Sequence, residues 1–275
     1  MLINREKMLP KLGIIAGNGD LPEEIAKLQK ASGGDCVIAA LESKANFANF
    51  AHKHFALGAV GSIIEYFKEN SVENVVIIGG IGRPDLKSLK VDFSGSLLLA
   101  KILKQKILGD DNILKIVSNY IESKSLKVVF PQEILKLGKY NLEIASTKSP
   151  SAQDKTDIEI GKQVIASLGA LDVGQSVIVC DGYVVGIEAA EGTDNLIRRC
   201  EILRRAAKGG VLVKMSKATQ DMRLDVPVIG PDTIFFLAKH GFNGVAIEKE
   251  SVIVVKPEET MRLLDDNGLF LKVLD

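Results

Sequence analysis

The stretch "GIIAGNGDLPEE", residues 13–24, decides the fold of the first half of the chain. An apolar run ends in Gly17-Asn18-Gly19, and Pro22 follows three residues later, directly before two carboxylates. This order of strand, glycine turn and helix start is the usual lead-in to a phosphate-binding loop. Pro22 stands where a dinucleotide fingerprint has its third glycine, so the loop alone leaves open a redox cofactor or another phosphate ester.

The first half of the chain alternates between predicted strands and helices. Strands are predicted at 11–16, 35–41, 75–78 and 126–130, and helices at 21–31, 63–69, 95–106 and 111–122. Near-continuous β-branched runs are typical of strands buried on both faces of a parallel sheet. We therefore predict a Rossmann-like, doubly wound α/β domain over residues 1–137.

A second domain is predicted over residues 138–275, because the pattern lapses at 138–156 and then changes character. The stretch "VIVCDGYVVGIEA" predicts two antiparallel strands around Asp181-Gly182, and "GVAIEKESVIVVK" (244–256) predicts another strand pair. This half is predicted to be α/β with antiparallel pieces.

Charge and composition argue against several classes of protein. Lys+Arg and Asp+Glu both number 35, whereas binding to nucleic-acid phosphates normally requires a basic excess. Apolar runs are too short to cross a bilayer, and the N-terminus lacks the apolar core of a signal peptide, so we expect a cytoplasmic location. Three cysteines without C-x-x-C spacing indicate small core residues rather than a zinc site or disulfides.

A second glycine loop, "IIGGIGRPDL" (77–86), leaves the strongest predicted strand of the first domain. Two such loops at the carboxyl ends of parallel strands predict a ligand crevice, and exposed backbone N–H groups favour an anion. Arg83 could bind phosphate oxygens there, or form a salt bridge with Asp85.

Acidic and basic residues alternate in two loops of the second half. "GIEAAEGTDNLIRR" contains Glu188, Glu191 and Asp194, and "KMSKATQDMRLDVPVIG" contains Lys214, Lys217, Asp221, Arg223 and Asp225. This mixture suits a phosphate ester bound with Mg²⁺, which takes one or two carboxylates and leaves positions for substrate oxygens and water. The alternative is that "EGTD" only begins a helix, capped by Thr193 or Asp194.

The chain resembles the LpxI family, the UDP-2,3-diacylglucosamine pyrophosphatases of lipid A biosynthesis. The resemblance runs over essentially the whole sequence and is carried by "AGNGDLP" (16–22), "GRPD" (82–85), "GDD" (109–111), "LDVGQSVIVCDG" (171–182), "EAAEGTD" (188–194) and "KATQDMRLDVPVIG" (217–230). It implies a Mg²⁺-dependent hydrolase that gives UMP and 2,3-diacylglucosamine 1-phosphate (lipid X), a site in a cleft between two domains, and a homodimer. It also implies that the catalytic aspartate is Asp225, in the segment Arg223-x-Asp225-x-Pro227.

On this basis we assign each candidate residue an expected role. Catalytic roles are expected for Asp225, Arg223 and Lys214; substrate binding for Gly17, Asn18, Gly19, Gly80, Arg83 and Thr193; metal binding for Asp225, Glu188, Glu191 and Asp194. The acylated substrate implies peripheral contact with the inner membrane. Two other classes stay open: a nicotinamide-dependent oxidoreductase, with Glu42 on the ribose, and a non-catalytic nucleotide-sugar binding protein.

Overall fold

The computed structural model describes residues 9–41, 47–81, 89–104, 110–137, 146–169, 173–203, 208–217, 221–224 and 226–275, without the side chains of 110–112. Its internal contacts divide the chain into two units. The first comprises Met1–Tyr140 and Asp221–Asp225, and the second comprises Asn141–Gln220 and Val226–Asp275. The first unit therefore includes a short segment that the predicted boundary at 137/138 had placed in the second domain.

The first unit is built on a parallel five-stranded sheet. Its strands are β1 (Leu12–Ala16), β2 (Cys36–Leu41), β3 (His52–Phe55), β4 (Asn74–Ile78) and β5 (Lys127–Val128). Its helices are α1 (Leu21–Ala31), α2 (Val60–Glu69), α3 (Phe93–Leu103), α4 (Asp110–Glu122) and α5 (Pro131–Leu137). The strand order is β3-β2-β1-β4-β5, so the chain winds outward from β1 in both directions, which is the Rossmann-like arrangement that the sequence predicts.

The strand order places the two glycine loops at the topological switch point of this sheet. β1 and β4 are neighbours, with Ala16 opposite Ile78 at their carboxyl ends, and one glycine loop follows each strand. One face of the sheet is covered by α2 and α4, whose Ile63, Phe67 and Ile121 pack against Ile15, Val75 and other buried residues. Ligands of open α/β sheets bind at the carboxyl ends of the strands beside the switch point, and the two glycine loops lie there.

The second unit is built on a mixed five-stranded sheet. Its strands are β6 (Ser176–Cys180), β7 (Tyr183–Ile187), β8 (Val211–Lys214), β10 (Gly244–Glu248) and β12 (Phe270–Leu274), and a separate small sheet pairs β9 (Val228–Ile229) with β11 (Ile253–Val254). Its helices are α6 (Ala152–Leu168), α7 (Thr193–Glu201), α8 (Pro231–Lys239) and α9 (Pro257–Asp266). One face packs against α6, and the other packs against α7, α8 and α9.

Strand direction in this sheet decides where its polar residues gather. The order is β12-β10-β8-β6-β7, and β6 runs antiparallel to both of its neighbours. The carboxyl ends of β7, β8, β10 and β12 therefore lie at one edge, together with the first residue of β6. The predicted fold class, a Rossmann-like domain followed by an α/β domain with antiparallel pieces, is confirmed.

Some local predictions were wrong or incomplete. The two strands within residues 244–256 exist, but β10 pairs with β8 and β12 while β11 pairs with β9, so they do not pair with each other. The sequence also gave no prediction for β3, α5, α9 and β12. Cys36, Cys180 and Cys200 are buried thiols, as predicted. Within the described residues, every helix is too short or too polar to span a bilayer.

Candidate active site

The two glycine loops of the first unit are joined by backbone hydrogen bonds. The Asn18 amide donates to the Gly80 carbonyl at 2.8 Å, and the Gly80 amide donates to the Asn18 carbonyl at 2.9 Å. The Gly17 amide donates to the Ile78 carbonyl at 2.8 Å. These three amides are therefore already used, and a phosphate at this edge would have to be bound by other donors.

Glycine has a different purpose at different positions in these loops. A Cβ on Gly17 would lie 2.6 Å from the Gly79 carbonyl oxygen, so only glycine allows the two loops to approach this closely. A Cβ on Gly80 or Gly19 would meet no heavy atom of the described residues within 4 Å. Gly17 thus holds the loops together, while Gly19 and Gly80 have room beside them within the described part of the chain. Arg83 and Glu42 lie outside the described residues, so their predicted roles stay predictions.

In the second unit, three polar residues lie side by side across neighbouring strands. Ser176 opens β6 opposite Lys214, the last residue of β8, and its carbonyl accepts the amide of Glu188 just beyond β7 at 2.8 Å. Ser176, Glu188 and Lys214 are all buried, with 0%, 7% and 4% of their surface exposed. Helix α7 packs against the sheet, and its first residue, Thr193, lies beside Ser176, Glu188 and Lys214.

Thr193 connects the buried lysine to the buried glutamate. Its hydroxyl donates to Glu188 Oε1 at 3.0 Å and accepts a hydrogen bond from Lys214 Nζ at 2.7 Å, with Ser176 Oγ at 3.5 Å. Gly192 occupies the N-cap position of α7, and no side chain caps the helix. The predicted cap by Thr193 or Asp194 was therefore wrong, because Thr193 uses its hydroxyl in this network.

The network has unused hydrogen-bonding capacity at both ends. Within the described part of the chain, Glu188 Oε2 is buried and has no hydrogen-bond partner. An ammonium carries three donors, yet among the described residues Lys214 Nζ bonds to a neutral hydroxyl and forms no ion pair with a carboxylate. Burying such groups is costly unless a ligand completes them, so this cluster has the character of a binding site.

Asp194 adds a second carboxylate near this cluster. Burial, and then the neighbouring carboxylate of Asp232, raise the pKa of Asp194, while Lys214 and Arg198 act in the opposite direction. Asp232 and Ser176 were not predicted as site residues. A helix start directly after Gly230 and a lone serine opening an apolar strand were the available signals.

Glu191 faces a different partner. Arg199 donates to its carboxylate through both Nε and Nη2, at 2.9 and 2.7 Å, and also binds the Ile187 carbonyl. Burial alone would raise the pKa of Glu191, but hydrogen bonds, including those from Arg199, hold it below its ordinary value. Its charge is matched within the protein, which fits a structural role better than a metal ligand.

Arg223 belongs to the first unit and is held by two carboxylates. Its Nε and Nη2 donate to Asp221 at 3.0 and 2.8 Å, and Nη1 donates to Glu122 of α4 at 3.1 Å. The bond to Asp221 raises the pKa of Arg223 and lowers that of Asp221. This arrangement fastens residues 221–224 to α4, directly before Asp225.

The predicted site residues that the structure describes fall into two groups, one in each unit. Glu188, Thr193, Asp194 and Lys214 gather in the second unit, whereas Gly17, Asn18, Gly19 and Gly80 form the joined loops of the first. Asp225 lies outside the described residues. Among those described, no three His, Cys, Asp or Glu side chains converge as a metal site.

Comparison with known proteins identifies relatives along the whole chain. Residues 11–137 match the family model of the LpxI N-terminal domain, and residues 142–272 match that of the LpxI C-terminal domain. The UDP-2,3-diacylglucosamine pyrophosphatase LpxI of Caulobacter vibrioides is 32% identical over 281 residues, which cover 96% of this chain and 98% of that protein. The chain belongs to the LpxI family.

Proposed function

We propose that this chain hydrolyses the pyrophosphate bond of UDP-2,3-diacylglucosamine to UMP and 2,3-diacylglucosamine 1-phosphate (lipid X) in lipid A biosynthesis. The observation that carries the proposal is the similarity of nearly the whole chain to a pyrophosphatase named for that substrate. Water supplies the oxygen that bonds to one phosphorus, and the bond from that phosphorus to the bridging oxygen breaks. No observation favours the nicotinamide-dependent oxidoreductase or the non-catalytic binding protein.

Lys214 is proposed to bind a phosphoryl oxygen of the substrate. Its ammonium is buried, and the bond to Thr193 uses one of its three donors among the described residues. In a site shielded from water, a fixed ammonium stabilises the charge that develops on phosphoryl oxygens as the bond breaks. Thr193 keeps the ammonium in place, so we assign it a positioning role in addition to the predicted contact with substrate.

Mg²⁺ is the proposed cofactor, and the residues of the second unit fit its chemistry. Mg²⁺ takes oxygen ligands from one or two carboxylates and keeps water and substrate oxygens in its other positions. Glu188 Oε2, which has no hydrogen-bond partner among the described residues, and the carboxylate of Asp194 would hold it, and the bound ion would neutralise phosphate charge. Glu191 is the weakest of the predicted ligands because Arg199 already binds its carboxylate.

Asp225 is proposed as the carboxylate that orients the attacking water and accepts its proton. Arg223 acts through position rather than by touching phosphate, since Asp221 and Glu122 occupy three of its N–H groups. By fixing residues 221–224 on α4, Arg223 limits the positions that the next residue can take.

The glycine loops are proposed to border the substrate's phosphates. The room beside Gly19 and Gly80 within the described residues supports an approach at these two glycines, with Arg83 as a further phosphate ligand. Partners proposed from the family are a second copy of the chain, forming a homodimer, and the cytoplasmic face of the inner membrane.

The direct test is incubation of the purified protein with Mg²⁺ and UDP-2,3-diacylglucosamine, with UMP and lipid X measured by mass spectrometry. Asp225→Ala should lower turnover by about 100-fold or more while substrate still binds. Asp266→Ala, an exposed carboxylate at the end of α9, is the matched control. Near-normal turnover by Asp225→Ala would refute its role, and full activity in excess EDTA would refute the metal.

A further inference from the structure

Helix α3 exposes an apolar surface where a helix of a monomer normally presents polar residues. Three large side chains are prominent: Phe93, Leu97 and Leu103 are 81%, 49% and 58% exposed. At 3.6 residues per turn these positions lie on one half of the helix, opposite the buried Leu98 and Ile102. We call this half the α3 outer face; its exposed residues are Phe93, Ser96, Leu97, Ala100, Lys101, Leu103 and Lys104.

The α3 outer face carries positive charge and no acid. Lys101 and Lys104 are its charged residues, and the helix contains no Asp or Glu. The nearest acid along the chain, Asp92, uses its carboxylate to accept hydrogen bonds from the Gly95 amide at 2.7 Å and the Ser62 amide at 2.9 Å. An apolar face with basic residues beside it is complementary to an anionic lipid surface.

The inner side of α3 is firmly attached to the first unit. Leu98 and Ile102 are buried, and Ser94 Oγ accepts a hydrogen bond from the Tyr120 hydroxyl of α4 at 2.9 Å. The outer face is therefore presented on a fixed element, which keeps the entropic cost of binding low.

The size of this face favours a bilayer over a second copy of the chain. An 11-residue helix is about 16 Å long and about 10 Å wide, a footprint of roughly 160 Å². A stable protein interface buries about 800 Å² on each partner, whereas a few inserted apolar side chains suffice for peripheral lipid binding when charge assists. We propose that the α3 outer face docks the protein on an anionic lipid bilayer, with Phe93 and Leu97 inserted and Lys101 and Lys104 at the headgroups.

The proposal rests on the proposed function only for its biological purpose, because a diacylated substrate resides in such a bilayer. It is tested by sedimentation of the full-length protein with phosphatidylglycerol-containing vesicles, compared with pure phosphatidylcholine vesicles. Phe93→Ser should weaken binding to anionic vesicles by about tenfold, from the lost apolar insertion. Lys101→Glu with Lys104→Glu should weaken it to a similar extent, about tenfold, and high salt should imitate this effect in the unchanged protein.

Ile202→Ser is the matched control, since Ile202 is 82% exposed at the end of α7 in the second unit. It should leave vesicle binding unchanged. Hydrolysis of detergent-dispersed substrate by Phe93→Ser should equal that of the unchanged protein, so loss of docking and failure of the proposed function are separate results.

Three results would overturn the docking proposal. They are absence of binding to anionic vesicles, equal vesicle binding by Phe93→Ser, and dissociation of a dimer by Phe93→Ser without an effect on vesicles. The last would assign the α3 outer face to a second copy of the chain.

Discussion

The polar groups of the two predicted binding regions are satisfied to very different degrees. In the glycine loops of the first unit, the amides of Asn18 and Gly80 are bonded to each other's carbonyl groups. In the second unit, Glu188 Oε2 lacks a described partner, and the buried Lys214 has a neutral hydroxyl as its described partner. Backbone groups that already form hydrogen bonds make the loops rigid, whereas buried side chains with unused hydrogen-bonding capacity can bind a ligand.

Both regions nevertheless lie at equivalent places in their sheets. The first lies at the carboxyl ends of β1 and β4, which pair in parallel. The second lies at the carboxyl ends of β7 and β8, which run in the same direction on either side of the antiparallel β6. The difference is therefore one of side-chain chemistry, and substitutions should separate a framework role in the loops from a chemical role in the cluster.

Lys214→Met should produce the largest change. We expect turnover to fall by about 100- to 1,000-fold, because the substitution removes the buried ammonium that we propose binds a phosphoryl oxygen. We expect the free energy of unfolding to stay within about 1 kcal/mol of the unchanged protein or to rise, because methionine avoids burying an ammonium that forms no ion pair with a described carboxylate. Steady-state kinetics and thermal unfolding of the same preparation measure the two effects.

The control for this pair of measurements is Lys272→Met, an exposed lysine on β12. It should change neither quantity appreciably. If Lys214→Met unfolds the protein as well as inactivating it, Lys214 is part of the framework and the contrast between the two regions disappears.

Gly17→Ala should mainly lower the free energy of unfolding, whereas Lys214→Met should mainly lower turnover. Its Cβ would lie 2.6 Å from the Gly79 oxygen and 2.7 Å from the Gly80 oxygen, so the joined loops must separate. We expect a loss of about 3 kcal/mol in unfolding free energy, as for other overpacked sites. Chemical denaturation of the full chain measures it.

Gly80→Ala sharpens this result because its Cβ would meet no described atom within 4 Å. Unfolding should be unchanged, while turnover should fall by about tenfold if substrate approaches the loop here. Unchanged kinetics would place the substrate elsewhere and leave the loops with a framework role alone.

Thr193→Val tests the connection inside the cluster. The substitution removes the hydroxyl that lies 2.7 Å from Lys214 Nζ and 3.0 Å from Glu188 Oε1, so both buried groups lose their described partner. We expect a loss of about 2 kcal/mol in unfolding free energy and about tenfold in turnover. Thr193→Ser keeps the hydroxyl and should restore both; a serine variant as impaired as valine would show that the methyl group matters instead.

Periodicity and glycine spacing predicted the sheet framework because these signals are local. Strand β8 is predicted at its observed bounds, Val211–Lys214, and α1 at Leu21–Ala31. Strand pairing is not local, so β10 and β11 were predicted as partners although they belong to different sheets. The length of the connection between β10 and β11 does not determine which strand each of them pairs with.

The candidate site was predictable in residue type but not in arrangement. Glu188, Thr193, Asp194 and Lys214 were selected from their chemistry, yet Glu191 looked equivalent to Glu188 in the sequence. The difference is Arg199, eight residues further on, which forms an ion pair with Glu191. Glu188 instead accepts a hydrogen bond from the Thr193 hydroxyl, which also binds the Lys214 ammonium. Likewise, only the fold shows that Arg223 is held by Glu122, a residue 101 positions earlier in the chain.

Asp154 provides the smallest expected effect, at a site in the second unit outside the polar cluster of Glu188, Thr193 and Lys214. It is buried at the start of α6, where it accepts hydrogen bonds from Ser151 and, at 2.8 Å, from Asn243. Burial alone would raise the pKa of Asp154, but these bonds lower it. A carboxyl whose pKa is lowered by folding stabilises the protein above its unfolded pKa, and this contribution is lost as the pH falls through the folded pKa.

Asp154→Asn should therefore cost about 1 kcal/mol at neutral pH, as loss of a helix cap does, and less in acid. The measurement is the unfolding free energy of both proteins between neutral pH and pH values below the ordinary range of a carboxyl. The two curves should converge on acidification, whereas Asp266→Asn at the exposed end of α9 should follow the unchanged protein throughout. Parallel curves for Asp154→Asn would mean that the capping geometry, rather than the ionised carboxylate, stabilises α6, and turnover at neutral pH should be unaffected in either case because this residue touches neither region.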